Sequence, residues 1–224
     1  IDLQKMAKEH NLLYAGDPCS AESCQIGGNV ATNAGGNKAV KYGTTRNQIY
    51  GMKVVVPTGE IVDCGARLQK SSTGYCLEQL IAGSEGTLGI ITEVTVKLRP
   101  LPPCKFDLVA VFKTDDEAFA LPNRILKAGI EPTSIEYMDN DALKMCGKYC
   151  DITLPHVADG CCYVIVTVET FDEDELDKKM ETMSDLCEQN GAIDVLSGDE
   201  RIWSARRQFA DAARSVDVMF QTED

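Results

Sequence analysis

Histidine is almost missing from this 224-residue sequence, with only His10 and His156, and tryptophan occurs once, at Trp203. Ten cysteines are present, but no two show the CxxC spacing that marks zinc ribbons and redox dithiols. Cys146 and Cys150 share a helix face; two ligands do not make a metal site, and none is assigned. Long apolar runs are missing too. The longest lie around Val54 to Val56 and Tyr163 to Val168, far below the roughly 20 residues of a membrane helix, so no membrane span is expected. Residues 1–14 read as an amphipathic helix with charges throughout, without the basic start, apolar core and small-residue cleavage site of a leader. Basic residues are in deficit, 22 Lys and Arg against 35 Asp and Glu, for a formal charge of −13 and a pI near 4.6. Such a chain repels a phosphate backbone, which argues against nucleic acid as a partner.

What remains is an ordinary folded composition. Hydrophobic residues make up 44% and charged residues 25%, and glycine and proline are too scattered for low complexity. A mass of 24.4 kDa suits one large domain or two small ones. The scatter of cysteines fits buried thiols in a reducing compartment better than a disulfide framework, and a cytoplasmic location is expected.

The sequence changes character at LRPLPP (Leu98 to Pro103), where three prolines fall in four positions, and the domain boundary is placed there, giving 1–101 and 102–224. Upstream lie most of the 18 glycines, with short strands such as KVVVP and ITEVTVKL and a turn at Thr58-Gly59. Downstream, strands alternate with helices: Leu108 to Phe112, a helix from Asp115 to Ala128, Ser134 to Met138, and a helix from Asn140 to Lys148. The order repeats with Tyr163 to Glu169, a helix from Glu173 to Gln189, and Ile193 to Leu196. Two βαβ-like units in succession predict an α+β sandwich of the ferredoxin-like kind. Thr114 with Glu117 forms a capping box and Gly129 supplies a left-handed stop, while Pro122 is expected to kink or shorten that helix. Asp172 caps the second long helix, Glu173 to Glu175 suit its positive end, and Asn190-Gly191 ends it. Leu176, Met180, Met183 and Cys187 make one apolar stripe.

Two glycine clusters stand out, IGGNVATNAGGN from Ile26 to Asn37 and AGSEGTLGII from Ala82 to Ile91. Glycine at such density lets backbone amides approach a ligand or adopt positive φ. Neither GxGxxG nor GxxxxGK[ST] is present, so a nicotinamide Rossmann domain is a poor reading. On glycine alone, tight turns in a structural domain are the favoured reading.

Taken together, DPCSAESCQIGGNVATNAGGNKAVKYGTTRNQIYGMKVVVPTGE and TGYCLEQLIAGSEGTLGIITEVTVKLRP resemble the second half of the flavin domain of the vanillyl-alcohol-oxidase (PCMH-type) FAD-linked oxidases. The nearest branch is that of D-lactate dehydrogenase, the glycolate oxidase FAD subunit and D-2-hydroxyglutarate dehydrogenase. Downstream, SIEYMDNDAL and DERIWSARRQFADA are similar to the branch's C-terminal cap (substrate) domain, incomplete here. The resemblance implies that the stretch around Ser20, Ser23 and Cys24 lines a non-covalently held FAD, with Gly27 and Gly28 letting the backbone close on it. Thr32, Asn33, Ala34 and Gly35 would form a further wall. Glu85, Gly86, Thr87, Gly89, Ile90 and Ile91 would contact the cofactor mostly through backbone, the two isoleucines at the adenine end.

In the cap half, Arg206 matches the arginine that grips a substrate carboxylate, a task suited to a guanidinium fork; the alternative is a surface arginine paired with Asp199 or Glu200. Arg207 would face elsewhere, and Trp203 reads as a core anchor. Three departures from the family pattern are visible. No glycine-rich pyrophosphate loop precedes Ile26, no histidine-rich base and metal motif occurs before Asp224, and Cys76 in GYCL stands where the family has an aspartate. The chain is therefore read as a fragment lacking both ends. The activity implied is hydride transfer from a D-2-hydroxy acid (D-lactate, glycolate or D-2-hydroxyglutarate) to FAD, with electrons passed to an electron-transfer flavoprotein, an iron-sulfur subunit or a quinone. A homodimer is expected. The alternatives are an alcohol oxidase or alkyl-transfer enzyme of the same fold, or a catalytically silent fragment.

Overall fold

The backbone of the chain, in a computed structural model that describes residues 1–198 and 200–216, falls into two compact units that part between Leu101 and Pro102. Both mix helices and antiparallel sheet, an α+β architecture.

In the first unit a helix α1 (Asp2–Glu9) leads to a short strand β1 (Leu12–Leu13). Next come α2 (Ile26–Thr32), α3 (Ala39–Tyr42), β2 (Ile49–Val55) and β3 (Ile61–Gly65). The unit closes with α4 (Leu77–Ile81), β4 (Ile90–Val96) and β5 (Arg99–Pro100). β2 lies between β3 and β4, antiparallel to both, and β5 returns to pair with β1. The β2–β3 connection is tight: the Gly59 amide donates to the Val56 carbonyl at 2.8 Å, and Gly59 takes φ +87, which glycine adopts without strain. Alternate β2 residues Met52 and Val54 turn to one face, where Val30 of α2 and Ile81 of α4 complete the core.

The second unit runs β6 (Cys104–Phe112), α5 (Asp115–Lys127), β7 (Ser134–Met138), α6 (Asn140–Cys150) and β8 (Cys162–Thr170). It continues through α7 (Glu173–Gln189), β9 (Asp194–Ser197), α8 (Glu200–Arg207) and α9 (Phe209–Ser215). The sheet order is β7-β8-β6-β9 with every neighbouring pair antiparallel. Each helical crossover thus skips one strand, so the two βαβ repeats interleave. β6 and β8, inner strands covered on both faces, read as almost continuous apolar runs. One face carries Leu108, Ala110, Phe112 and Val164 under α5 and α7. The opposite face carries Val109, Val111, Tyr163 and Ile165 under α6, α8 and α9.

Three local expectations need correction. Of the two outcomes expected at Pro122, shortening does not occur: α5 runs on to Lys127, because Ala118, Leu121 and Ile125 bury its inner face and outweigh the roughly 3 kcal/mol that an internal proline costs. Met180 does not belong to the buried stripe of α7; it is 43% exposed, since the helix meets the sheet only in its second half, at Met183 and Cys187. Finally, only Cys64, Cys146, Cys161, Cys162 and Cys187 are buried, whereas Cys19 and Cys76 lie on the surface; none of the ten is in a disulfide.

Candidate functional site

The first glycine cluster begins with a turn. The Ala21 amide donates to the Pro18 carbonyl, and the Ser23 and Cys24 amides both donate to the Ser20 carbonyl, each at 2.9 Å. Ser20 and Ser23 are exposed; Cys24 is half-buried and its Sγ accepts from Asn29 Nδ2 at 3.3 Å. α2 follows at once and places Gly27 and Gly28 in its first turn. A Cβ built at either would meet nothing within 4 Å. Glycine in a helix costs about 1 kcal/mol relative to alanine, and no packing inside the unit demands it here. Gly36 is different: at φ +120 it passes so close to Asp17 that a Cβ would sit 2.0 Å from the Asp17 carbonyl oxygen.

The second cluster is bolted to the end of α2. The Gly83 amide donates to Val30 O and the Glu85 amide to Ala31 O, both at 2.9 Å. Glu85 (φ 50) and Gly86 (φ 79) then make a reversal in which the Thr87 amide donates to Ser84 O at 3.0 Å, the positive-φ pattern of a type I′ turn. The turn is exposed, and Ser84 Oγ inside it is buried with no hydrogen-bond partner among the described residues. Gly89 is a packing glycine, since a Cβ there would lie 2.5 Å from Val54 Cγ1. Ile90 and Ile91, expected to act as a pair against one flat ring, alternate on β4: Ile90 is 68% exposed, whereas Ile91 packs with Val54 and Val62.

Arg46, which the sequence did not single out, joins these pieces. Its amide donates to Asn33 Oδ1 at 2.9 Å, its Nη2 to Ala82 O at 2.8 Å, and its carbonyl accepts from Gln79 Nε2 at 3.0 Å. Asn33, left-handed at φ 52 where α2 ends, turns its carboxamide inward to Arg46 and to Thr44 Oγ1, so it braces the wall. Ala34 is buried and its carbonyl accepts from Thr45 N and Oγ1, while Thr32 stays exposed and Gly35 half-buried. The only sequence signal at Arg46 was the Thr44…Asn47 capping box around it. A separate recess of about 490 Å³ opens between the end of β3 and the start of α4, where Cys76 N-caps α4 without any side-chain bond.

In the second unit Arg206 sits on α8 with its side chain 21% exposed. Its Nε and Nη2 both donate to Glu136 Oε2, at 2.9 and 2.5 Å. Glu136, and not Glu200, is thus the acid seen on Arg206, since Glu200 bonds to the exposed Arg207; Asp199 lies outside the described residues. Trp203 is buried in the core beneath α6, with Lys105 Nζ 5.8 Å from its ring centroid. Cys146 of α6 lies within the field of Arg206; burial pushes its thiol up to about 11, so it is neutral. No group of three His, Cys, Asp or Glu side chains suited to a metal ion occurs among the described residues. No described helix is long and apolar enough to cross a membrane.

Comparison with known proteins gives these geometries a context. Residues 1–65 match the family model of the FAD binding domain, and residues 105–224 that of the C-terminal domain of FAD linked oxidases. The chain is 36% identical to a D-lactate dehydrogenase of Anaerostipes hadrus, a match covering 100% of this chain and 49% of that protein. It is 35% identical to glycolate oxidase subunit GlcD of Bacillus subtilis over 87% of this chain and 41% of the relative. A D-2-hydroxyglutarate dehydrogenase of Stutzerimonas stutzeri is 36% identical, over 93% and 46%. The chain thus spans about half the length of the curated relatives it matches. Among solved structures, an alkyldihydroxyacetonephosphate synthase superposes with a TM-score of 0.75 at 24% identity, over 96% of this chain and 42% of that one, a likeness of fold alone.

Proposed function

The chain belongs to the FAD-linked oxidases, its cofactor is FAD, and from that premise we propose that it is the flavin-holding and carboxylate-holding part of a D-2-hydroxy-acid dehydrogenase. The observation that carries this reading is the pair Gly27 and Gly28. They weaken a helix with no packing reason inside the unit, and an exposed type I′ turn is hydrogen-bonded to the end of the same helix. Bare backbone, exposed hydroxyls and one unsatisfied buried hydroxyl fit a cofactor that carries phosphates and a polar chain.

The Ser20 to Cys24 turn, Gly27, Gly28 and Thr32 would hold FAD from one side, and Glu85, Gly86 and Thr87 from the other, with Ile90 offering an apolar surface. Asn33, Ala34, Gly35, Gly89 and Ile91 support those contacts. When bound, FAD supplies the acceptor for the hydride leaving C2 of the hydroxy acid, whose hydroxyl proton goes to a base not assigned to this chain. Arg206 holds the substrate carboxylate through charge-assisted hydrogen bonds and so fixes which hydrogen can leave. The interleaved strand order of the second unit supports reading residues from 102 onward as a ferredoxin-like cap, and residues 1–101 as the latter part of the FAD domain. The two electrons then pass to an electron-transfer flavoprotein, an iron-sulfur subunit or a quinone. The relatives named above, two dehydrogenases and a glycolate oxidase subunit, favour this chemistry over alkyl transfer.

The test is a visible spectrum of the full-length protein, taken without oxygen before and after adding D-lactate, glycolate or D-2-hydroxyglutarate, with L-lactate as control. Bleaching of an oxidised-flavin spectrum by a D-acid or glycolate and not by L-lactate is expected. A bound flavin that none of them reduces would overturn the substrate class.

A further inference from the structure

We infer that Glu136 is a positioning residue for Arg206, taking one edge of the guanidinium so that the other edge is held ready for a ligand carboxylate. The inference rests on Arg206 being the carboxylate anchor. A guanidinium has two edges that can each match a carboxylate, one through Nε and Nη2, the other through Nη1 and Nη2. Glu136 Oε2 takes the first edge with both of its donors. No other partner of Arg206 is seen among the described residues, which leaves the Nη1 edge for a second carboxylate.

Both side chains stand on fixed elements. Glu136 lies on β7 opposite Ile165 of β8. Its strand neighbour Tyr137 packs on the other face of the sheet and donates to Asp115 Oδ1 at 2.6 Å, which pins the alternation. Three residues on, Asp139 caps α6 by accepting from the Ala142 amide at 2.6 Å. On α8, Ile202 and Ala205 are buried and orient the helix. The adjacent Arg207 lacks this arrangement; it is exposed and pairs within its own helix.

Charge makes the arrangement informative. Residues 102–224 hold 26 acidic against 12 basic side chains, so an anion gains nothing from the overall field of that half. Glu136 offsets much of the Arg206 charge, and the nearby Cys146 thiol is neutral. Capture of a carboxylate at Arg206 therefore depends on where the guanidinium points more than on net charge. The contrary view, that Glu136 merely plugs the arginine and competes with substrate, predicts the opposite sign when Glu136 is removed.

The full-length FAD-loaded protein decides between them. Pyruvate, glyoxylate and 2-oxoglutarate are titrated by calorimetry, and the tightest binder is carried through the variants, together with kcat and KM for the matching hydroxy acid. Loss of a charge-assisted contact predicts that Glu136→Ala weakens binding about 10-fold and raises KM by a similar factor while kcat changes less than about threefold. Glu136→Asp, which keeps the charge but withdraws it by one methylene, weakens binding about threefold or more, and Glu136→Gln, which keeps an acceptor in place, restores most of it. Unchanged or tighter binding in Glu136→Ala, or in Glu136→Asp where the alanine variant does not fold, overturns the inference. Arg206→Lys separates the two levels: if it binds the oxo acid as the unmodified protein does, or if no oxo acid binds at all, the role of Arg206 falls and this inference with it. If Arg206→Lys weakens binding and the Glu136 variants do not, only the inference falls.

Discussion

The carboxamide of Asn33 accepts the backbone amide of Arg46 at 2.9 Å, and through Arg46 Nη2 the same link reaches the Ala82 carbonyl at 2.8 Å. One asparagine and one arginine therefore tie the end of the first glycine cluster to the start of the second. Arg46→Met should cost about 1–3 kcal/mol, the range for losing charged hydrogen bonds to buried acceptors, and should weaken FAD binding with it. Asn33→Gly keeps the left-handed φ of 52 and loses only the side-chain bonds, whereas Asn33→Ala adds a strain of about 1 kcal/mol. Urea midpoints of the three variants check the order, and equal midpoints for Gly and Ala would deny the backbone argument.

The glycines divide by what a methyl group would meet. Gly27→Ala and Gly28→Ala enter open space on α2, so each should stabilise the cofactor-free protein by about 0.5–1 kcal/mol. The same changes should weaken FAD retention, because the methyl occupies the space the backbone leaves. Gly36→Ala and Gly89→Ala should instead lower stability by several kcal/mol, since their Cβ atoms would fall 2.0 Å from Asp17 O and 2.5 Å from Val54 Cγ1. Thermal midpoints with and without added FAD distinguish the two classes; a Gly27 variant that loses stability and keeps FAD would contradict the division.

Periodicity and punctuation made the second unit legible. Thr114 and Asp172 do cap their helices, and α7 starts and stops where Asp172 and Asn190-Gly191 require. What periodicity could not show was long-range pairing. Nothing local told that Arg206 would meet Glu136, 70 positions earlier, in place of its helix neighbour Glu200. Arg46 escaped for the same reason: its partners Asn33 and Ala82 are distant in sequence, and only the fold brings them together. Ile90 and Ile91 were legible as an apolar pair, but strand alternation, once β4 is known, sends them to opposite faces.

Cys76 begins α4 and makes no capping hydrogen bond, so the first amides of that helix lack a side-chain acceptor. Restoring a carboxylate at that position supplies one, and N-cap substitutions of this kind are worth about 0.5–2 kcal/mol. Cys76→Asp is expected to raise the denaturation midpoint and to slow alkylation-linked loss of structure, because Cys76 is also one of the two exposed thiols. A midpoint that does not rise would mean that α4 is held by Ile81 packing alone.

Buried thiols give the stability a definite alkaline limit. Burial pushes the thiols of Cys146 and Cys162 up to about 11 and that of Cys187 up to about 12, from an ordinary value of 9.0. A thiol is neutral when protonated, so the folded protein keeps protons that the unfolded chain releases near pH 9. The stability tied to these groups is fully present below pH 9 and is lost as pH rises through 11 to 12, at about 1.4 kcal/mol per unit for each thiol still protonated in the fold. Denaturation midpoints should therefore show no loss from these thiols between pH 7 and 8.5 and a fall by pH 10. Replacing Cys187 by alanine should flatten that fall, at the separate cost of a small cavity beside Met183. Iodoacetamide at pH 8 should label Cys19 and Cys76 first and reach Cys146, Cys162 and Cys187 only with denaturant, and early labelling of Cys187 would show that α7 opens in the native state.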